Sequence, residues 1–246
     1  MREAAVRLQW SASAVVFAAE DEDLLRRVMG PSAAALAGMR AAVQSRGVVR
    51  LLGALLALGN VAQRGSRAVG ERGLAVKAFD VTGAAEAAMS CGFDGRTRAV
   101  DLLRATSTPA PAAGGAAVPS APDANQTAAP LMAAGEALAL AGVLESGAAA
   151  DMDSVRGALR RLQEGSGLLA KAVRAAGGGP VPEKLASAAA RAASAAAEAE
   201  SAVSATEAAA ARCSAFFGVP GADASPILRG LAGLLRCWAE QPAPTS

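Results

Sequence analysis

Chemistry in a protein needs groups that can attack, carry a proton or hold a cation, and this chain is poor in all three. Histidine and tyrosine are absent from its 246 residues, which removes imidazole general-base catalysis, imidazole metal ligation and a tyrosine proton donor. Cys91, Cys213 and Cys237 are too widely spaced for a paired zinc site or a disulfide framework and have no base to activate them. They read as small buried hydrophobes. Glu20, Asp21, Glu22 and Asp23 are consecutive acids, but consecutive positions on a helix point around its circumference instead of converging on one ion. No phosphate-cradling glycine loop can be placed after a strand, because no strand is evident. The residues predict no catalytic group, no metal site, no cofactor and no enzyme.

Charge is what remains. Twenty-four basic and 22 acidic residues leave a net charge of +2, too small to predict nucleic-acid binding. The distribution is uneven. Arg40, Arg46, Arg50, Arg64, Arg67, Arg72 and Lys77 are accompanied by one acid, Glu71, whereas from Glu183 to Ala211 the acids Glu183, Glu198, Glu200 and Glu207 outnumber Lys184 and Arg191. An acidic partner would meet the first region; the other open reading is a solvated, arginine-rich face.

The elements that must carry these groups are helical. Hydrophobic residues reach 52% but aromatics only 3%, so the apolar content is largely Ala and Leu, neither branched at Cβ, and the fold class is all-α. Val6, Trp10, Ala14 and Phe17 recur at helical spacing and predict a helix from about Glu3 to Met29, ended by Gly30-Pro31, with Ser32 capping a second helix to Gln44. A third runs from Val48 to Val61, where Leu51, Leu52, Leu55, Leu56 and Leu58 surround most of the circumference, as full burial requires. After a basic, glycine-rich loop, Ala75 to Ala88 and Val100 to Leu103 lie in short helices.

Residues 105–130 shift to Pro, Ala, Gly, Ser and Thr and predict a flexible insertion with too little apolar surface to offset ordering. The chain then divides into a post-like helical region over 1–104, this insertion, a coiled-coil hairpin over 131–217 and a closing helix with its tail over 218–246. The hairpin rests on two series. Met152, Val155, Leu159, Leu162, Ser166, Leu169 and Val173 alternate steps of three and four; after Gly177-Gly178-Gly179-Pro180 the pattern resumes as Leu185, Ala189, Ala192, Ala196, Ala199, Val203, Thr206, Ala210, Cys213 and Phe217. Both keep a seven-residue repeat, and the short turn makes them antiparallel. The second helix would be about 50 Å long, so the sequence predicts an elongated helical bundle. Gly157, Gly165 and Gly167 each cost the first of the pair roughly 1 kcal/mol relative to Ala, which packing must offset. Gly218 suits a left-handed cap, and Asp223 to Pro226 restarts a terminal helix with Ile227, Leu228, Leu231, Leu234, Leu235 and Trp238.

The first residues carry Arg2, Glu3, Arg7 and Gln9 in place of a secretory leader. The most apolar run, Val48 to Leu58, contains Arg50 and is about half of the roughly 20 residues a bilayer span requires. The sequence predicts no membrane span and a cytoplasmic location.

Leu51-Leu52-Gly53-Ala54-Leu55-Leu56-Ala57-Leu58-Gly59-Asn60, followed by the glycine and arginine loop and Gly73-Leu74-Ala75-Val76, resembles the signature region of the formin homology two domain, where a buried helix ends in Gly-Asn-Tyr-Met-Asn. Arg7-Leu8-Gln9-Trp10 is similar to the helix preceding that region. Phe216-Phe217-Gly218, with Ser225 to Trp238 after it, resembles the family's Tyr-Phe-Gly and closing helix. The likeness is collinear over essentially the whole chain apart from the insertion.

The resemblance implies an actin-assembly module of the cytoskeleton that forms head-to-tail homodimers around a filament's barbed end. It implies actin contacts from Arg64, Arg67, Arg72 and Lys77, and a dimer surface at Gly59, Asn60 and Val61 that receives the partner subunit's lasso. Profilin-bound actin would be met through regions outside this chain. The chain departs from the pattern where Val61, Ala62 and Gln63 replace the family's Tyr, Met and Asn, and where Ala75 stands at the position of its actin-contacting lysine, two residues before Lys77. It also begins after the point where the lasso, the linker and most of the knob would lie. Taken by themselves, Gly59 and Asn60 fit an ordinary helix stop equally well. An Ala-rich coiled-coil scaffold or oligomerisation module without actin activity is the alternative reading.

Overall fold

The computed structural model describes residues 2–63, 81–90, 96–107, 131–175 and 183–240. Among these residues the chain is all-α: α1 (Arg2–Gln44), α2 (Arg46–Gln63), a 3-10 turn at Val81–Gly83, α3 (Ala84–Met89), α4 (Ala99–Ser107), α5 (Ala134–Ala148), α6 (Met152–Ala175), α7 (Glu183–Phe216) and α8 (Ala224–Ala239). The chain forms two compact units, Met1–Ala37 with Ala149–Arg212, and Gly38–Ala148 with Cys213–Ser246. The flexible-insertion expectation for 105–130 falls almost wholly outside the described residues.

Several helix ends follow the local signals. The Val48 amide donates to Ser45 Oγ at 3.2 Å at the start of α2. Asp151 Oδ1 accepts from the amides of Asp153 and Ser154 before α6, at 3.1 and 3.3 Å, and Asp223 Oδ1 accepts from the Ser225 amide before α8 at 3.1 Å. These side chains satisfy amides that a helix start leaves without an internal partner. At the end of α7 the Gly218 amide donates to the Ala215 carbonyl at 3.1 Å and the Val219 amide to the Ser214 carbonyl at 2.9 Å. Gly218 has φ +79°, so the expected left-handed glycine cap is present as a paired-bond motif.

Gly30-Pro31 does not end a helix, contrary to the sequence expectation: α1 continues through Pro31 to Gln44. Proline removes one amide donor and crowds the preceding turn, but Val28 and Ser32 are buried on either side of it and Ala35 follows on the same face. Packing on that face outweighs the local penalty. Ser32 therefore does not cap a second helix. Its hydroxyl is buried without a hydrogen-bond partner among the described residues, and its carbonyl accepts from Thr206 Oγ1 of α7 at 3.3 Å.

In the first unit one hydrophobic cluster joins three helices: Phe17, Leu24 and Val28 of α1, Val155, Ala158, Leu162, Leu169 and Ala172 of α6, and Ala192, Ala196, Ala199 and Val203 of α7. The buried set on α6 is Val155, Ala158, Leu162, Gly165, Leu169 and Ala172, which corrects the expected seam at alternate positions. Leu159, Ser166 and Val173 are half-buried, and the smaller residue before each takes the inner place. The reason is visible at Gly165, where an added Cβ would stand 2.0 Å from the Phe17 ring. On α7, Ala188 and Ala209 are buried in place of the expected Ala189 and Ala210. An ion pair between Arg156 Nε and Glu207 Oε1 at 3.0 Å ties the start of α6 to the later turns of α7.

In the second unit α8 is the central element. Ala224, Ile227, Leu228, Gly230, Leu231, Ala232, Leu234, Leu235 and Trp238 are all buried, while Pro226, Arg229 and Arg236 face solvent. A Cβ on Gly230 would meet the Val81 carbonyl oxygen at 2.5 Å, and one on Gly38 would meet Gly147 Cα at 3.1 Å. Glycine at these two positions permits helix and backbone to pack at close range. The expected full burial of the α2 helix is corrected: Val48, Leu51 and Leu55 are buried, Leu52, Leu56 and Leu58 are half-buried, and Arg46, Val49, Arg50, Gly53 and Ala57 face solvent. Its apolar stripe covers one side only.

Candidate functional site

Cys91 lies outside the described residues; the thiols of Cys213 and Cys237 sit in surroundings that suppress reactivity. Burial pushes the Cys213 thiol up to about 11, and burial likewise raises that of Cys237; a thiolate is the attacking species, so both are held in the inert form near neutral pH. Among the described residues no cluster of three Cys, Asp or Glu side chains could hold a metal ion. The acidic run diverges as its spacing dictates. Glu22 pairs with Arg26 at 3.6 Å and Asp23 with Arg27 at 2.7 Å, each one turn along α1, while Asp21 points inward and is 6% exposed.

Of the residues the resemblance implies in actin contact, Arg64, Arg67, Arg72 and Lys77 lie outside the described residues, as does the side chain of Val61. Gly59 and Asn60 are inside the last turns of α2 and half-buried. The helix does not stop at this pair; it runs on to Gln63, with nothing within 4 Å of a Cβ built on Gly59. The described part of the basic region is the corner where α1 gives way to α2. Arg40 lies one turn before the end of α1, Arg46 opens α2 and Arg50 is one turn further on, and all three are exposed.

One polar cluster was not anticipated from the sequence. Asp101 Oδ2 accepts from Arg98 Nε at 2.6 Å, and Asp101 Oδ1 from Arg98 Nη2 at 3.0 Å and Arg104 Nη1 at 3.1 Å. The Arg98 hydrogen bond is the main influence holding the Asp101 carboxyl below its ordinary value. Arg104 in turn donates through Nε to the Trp238 carbonyl at 2.9 Å and through Nη2 to the Cys237 and Trp238 carbonyls. Its guanidinium carbon lies 5.5 Å from the centroid of the Trp238 ring. The Trp238 indole donates to the Met132 carbonyl at 2.9 Å. This arrangement caps the last carbonyls of α8 with a cation, as a helix C-terminus favours. It is a structural clamp, and the i,i+3 spacing of Arg98, Asp101 and Arg104 was the available signal.

The arrangement supplies exposed cations on helices and no converging nucleophile, base or metal ligand among the described residues. No family model matches the chain, and no curated protein matches it.

Proposed function

We propose that this chain is a non-enzymatic actin-binding module related to the formin homology two domain, holding filament barbed ends and supporting nucleation and assembly in the cytoskeleton. The observation that carries the reading is the order of its three similar segments, Arg7–Trp10, Leu51–Asn60 and Phe216–Gly218, around a heptad-patterned helix pair. In this reading Arg64, Arg67, Arg72 and Lys77 face actin, and Gly59, Asn60 and Val61 belong to a homodimer surface. The scaffold is an elongated bundle in which α6 and α7 form an antiparallel coiled-coil hairpin and α8 closes the fold. The Arg156–Glu207 ion pair supports the hairpin, since it joins the start of one helix to the later part of the other. End-binding breaks no bond and asks only for a stiff frame presenting cations to an acidic surface, which suits a chain without histidine or tyrosine. Cosedimentation with filaments at low salt and slowed barbed-end elongation are the expected results. Absence of binding at low salt overturns the reading.

The periodic burial of Val155, Ala158, Leu162, Gly165, Leu169 and Ala172 favours a second reading, a coiled-coil scaffold without actin activity. The two separate cleanly. If Arg64, Arg67 and Arg72 are changed together to Glu and partner binding persists, while polar replacements at Leu159 and Leu162 abolish it, the scaffold reading holds.

A further inference from the structure

The span from Asp23 to Glu71 contains no carboxylate between its ends, and the structure places three of its arginines together in one unit. Arg40, Arg46 and Arg50 are exposed and form no ion pair among the described residues. Other arginines of that unit are engaged: Arg98 and Arg104 hold Asp101, and Arg236 holds Glu145.

Among the described residues no ion pair of these three holds the fold. The first turn of α2 contains no acid, so Arg46 adds positive charge where the helix dipole is already positive. Arg50 stands one turn further along, and like charges at that spacing repel. A local rule broken without structural compensation marks a surface shaped by something else. Around the cations the outer side of α2 is low and nearly featureless: Val49 is 46% exposed, and a Cβ on Gly53 would meet nothing within 4 Å, with Ala57 exposed one turn on.

We propose that this outer face of α2 docks an acidic helical segment of a partner protein. Arg46 and Arg50 would take its carboxylates, Val49 an apolar contact, and Gly53 with Ala57 the close approach of its backbone. Arginine suits this role because its planar fork matches a carboxylate with two parallel hydrogen bonds. A membrane surface fits less well, because Val48, Leu51 and Leu55 are buried and Leu52, Leu56 and Leu58 half-buried, which leaves Val49 as the large apolar side chain of this face that is open to lipid. The inference rests on the reading of this chain as a scaffold that meets an acidic partner, but its test does not depend on actin.

The test uses the full chain and two probes, a synthetic amphipathic helical peptide rich in Glu and its Glu→Gln counterpart, read by fluorescence anisotropy. The acidic peptide binds and the neutral one does not, with affinity falling as salt rises. The double variant Arg46→Glu, Arg50→Glu weakens binding at least about tenfold, whereas Arg160→Glu, Arg161→Glu, the same charge change on α6, leaves it within about twofold. Circular dichroism and the milder Arg46→Gln, Arg50→Gln pair separate lost contacts from lost folding. Equal losses from both double variants overturn the proposal in favour of net charge alone. Binding to phosphatidylserine vesicles without binding to the peptide overturns it in favour of a membrane. Peptide binding through Arg46 and Arg50 in a chain that ignores actin filaments sustains this surface and refutes the actin reading; filament binding in a chain that ignores the acidic peptide does the reverse.

Discussion

In the unit built from α1, α6 and α7, burial is periodic: a residue turns inward every three or four positions, and small side chains such as Ala158, Gly165 and Ala172 alternate with Val155, Leu162 and Leu169. In the other unit, α8 buries nine of its 16 residues and is held by individual fittings, Gly230 against the backbone at Val81 and Thr82 and Arg104 over its last carbonyls. The first kind of core distributes its energy along a seam, where one side chain can shift while its neighbours hold. The second concentrates it at contacts with little room to relax, because close-packed interiors transmit a displacement instead of absorbing it.

This contrast can be broken most sharply at the glycines. Gly230→Ala drives a methyl into backbone 2.5 to 2.9 Å away and is expected to cost about 3 kcal/mol in urea denaturation. Gly142→Ala, on the exposed side of α5 with nothing within 4 Å, is expected to stabilise by about 0.5–1 kcal/mol through helix propensity alone. Equal effects from the two would refute the account of α8.

In the periodic unit, Gly165→Ala meets the end of a side chain, the Phe17 ring, and is expected to cost less, about 1–2 kcal/mol. Adding Phe17→Leu should recover part of that loss, and a double-mutant cycle with no coupling would show that the ring does not rest on this glycine.

The smallest effect concerns Cys213. Its folded pKa, about 11, lies above the ordinary 9.0, so the unfolded chain loses its thiol proton first as pH rises. The stabilising contribution is fully present below about pH 9 and declines toward pH 11. A loss on the order of 1 kcal/mol by pH 10 is expected, and Cys213→Ala should flatten that slope.

Where structure depended on neighbouring residues in the chain, it was legible. Ala and Leu richness announced the helices, Asp223 announced the start of α8, and Gly218 announced the end of α7. The seam of α6 was legible only to within one position, because Leu159 and Ala158 satisfy the repeat equally and Leu is the more apolar. At Gly165 the Phe17 ring, more than a hundred positions away, fills the space a larger side chain would need. The candidate surface was partly legible: the acid-free stretch could be counted, but one-sided burial of α2, which leaves Arg46 and Arg50 on its outer face, could not be inferred from leucines distributed around the helix. The clamp of Arg104 on α8 joins residues with no sequence relation at all.

The amino-acid sequence by itself determined an all-helical chain, several of its caps, its lack of histidine and tyrosine chemistry, and the concentration of arginine before Glu71. Helical hydrogen bonds close within four residues, so their signals are local. The tertiary structure alone decided that α1 passes through Pro31, which member of each adjacent pair turns inward, and that two compact units are assembled from interleaved stretches of the chain. Those outcomes depend on what packs against a residue, and neighbours brought together by folding outweigh local preferences of about a kilocalorie per mole.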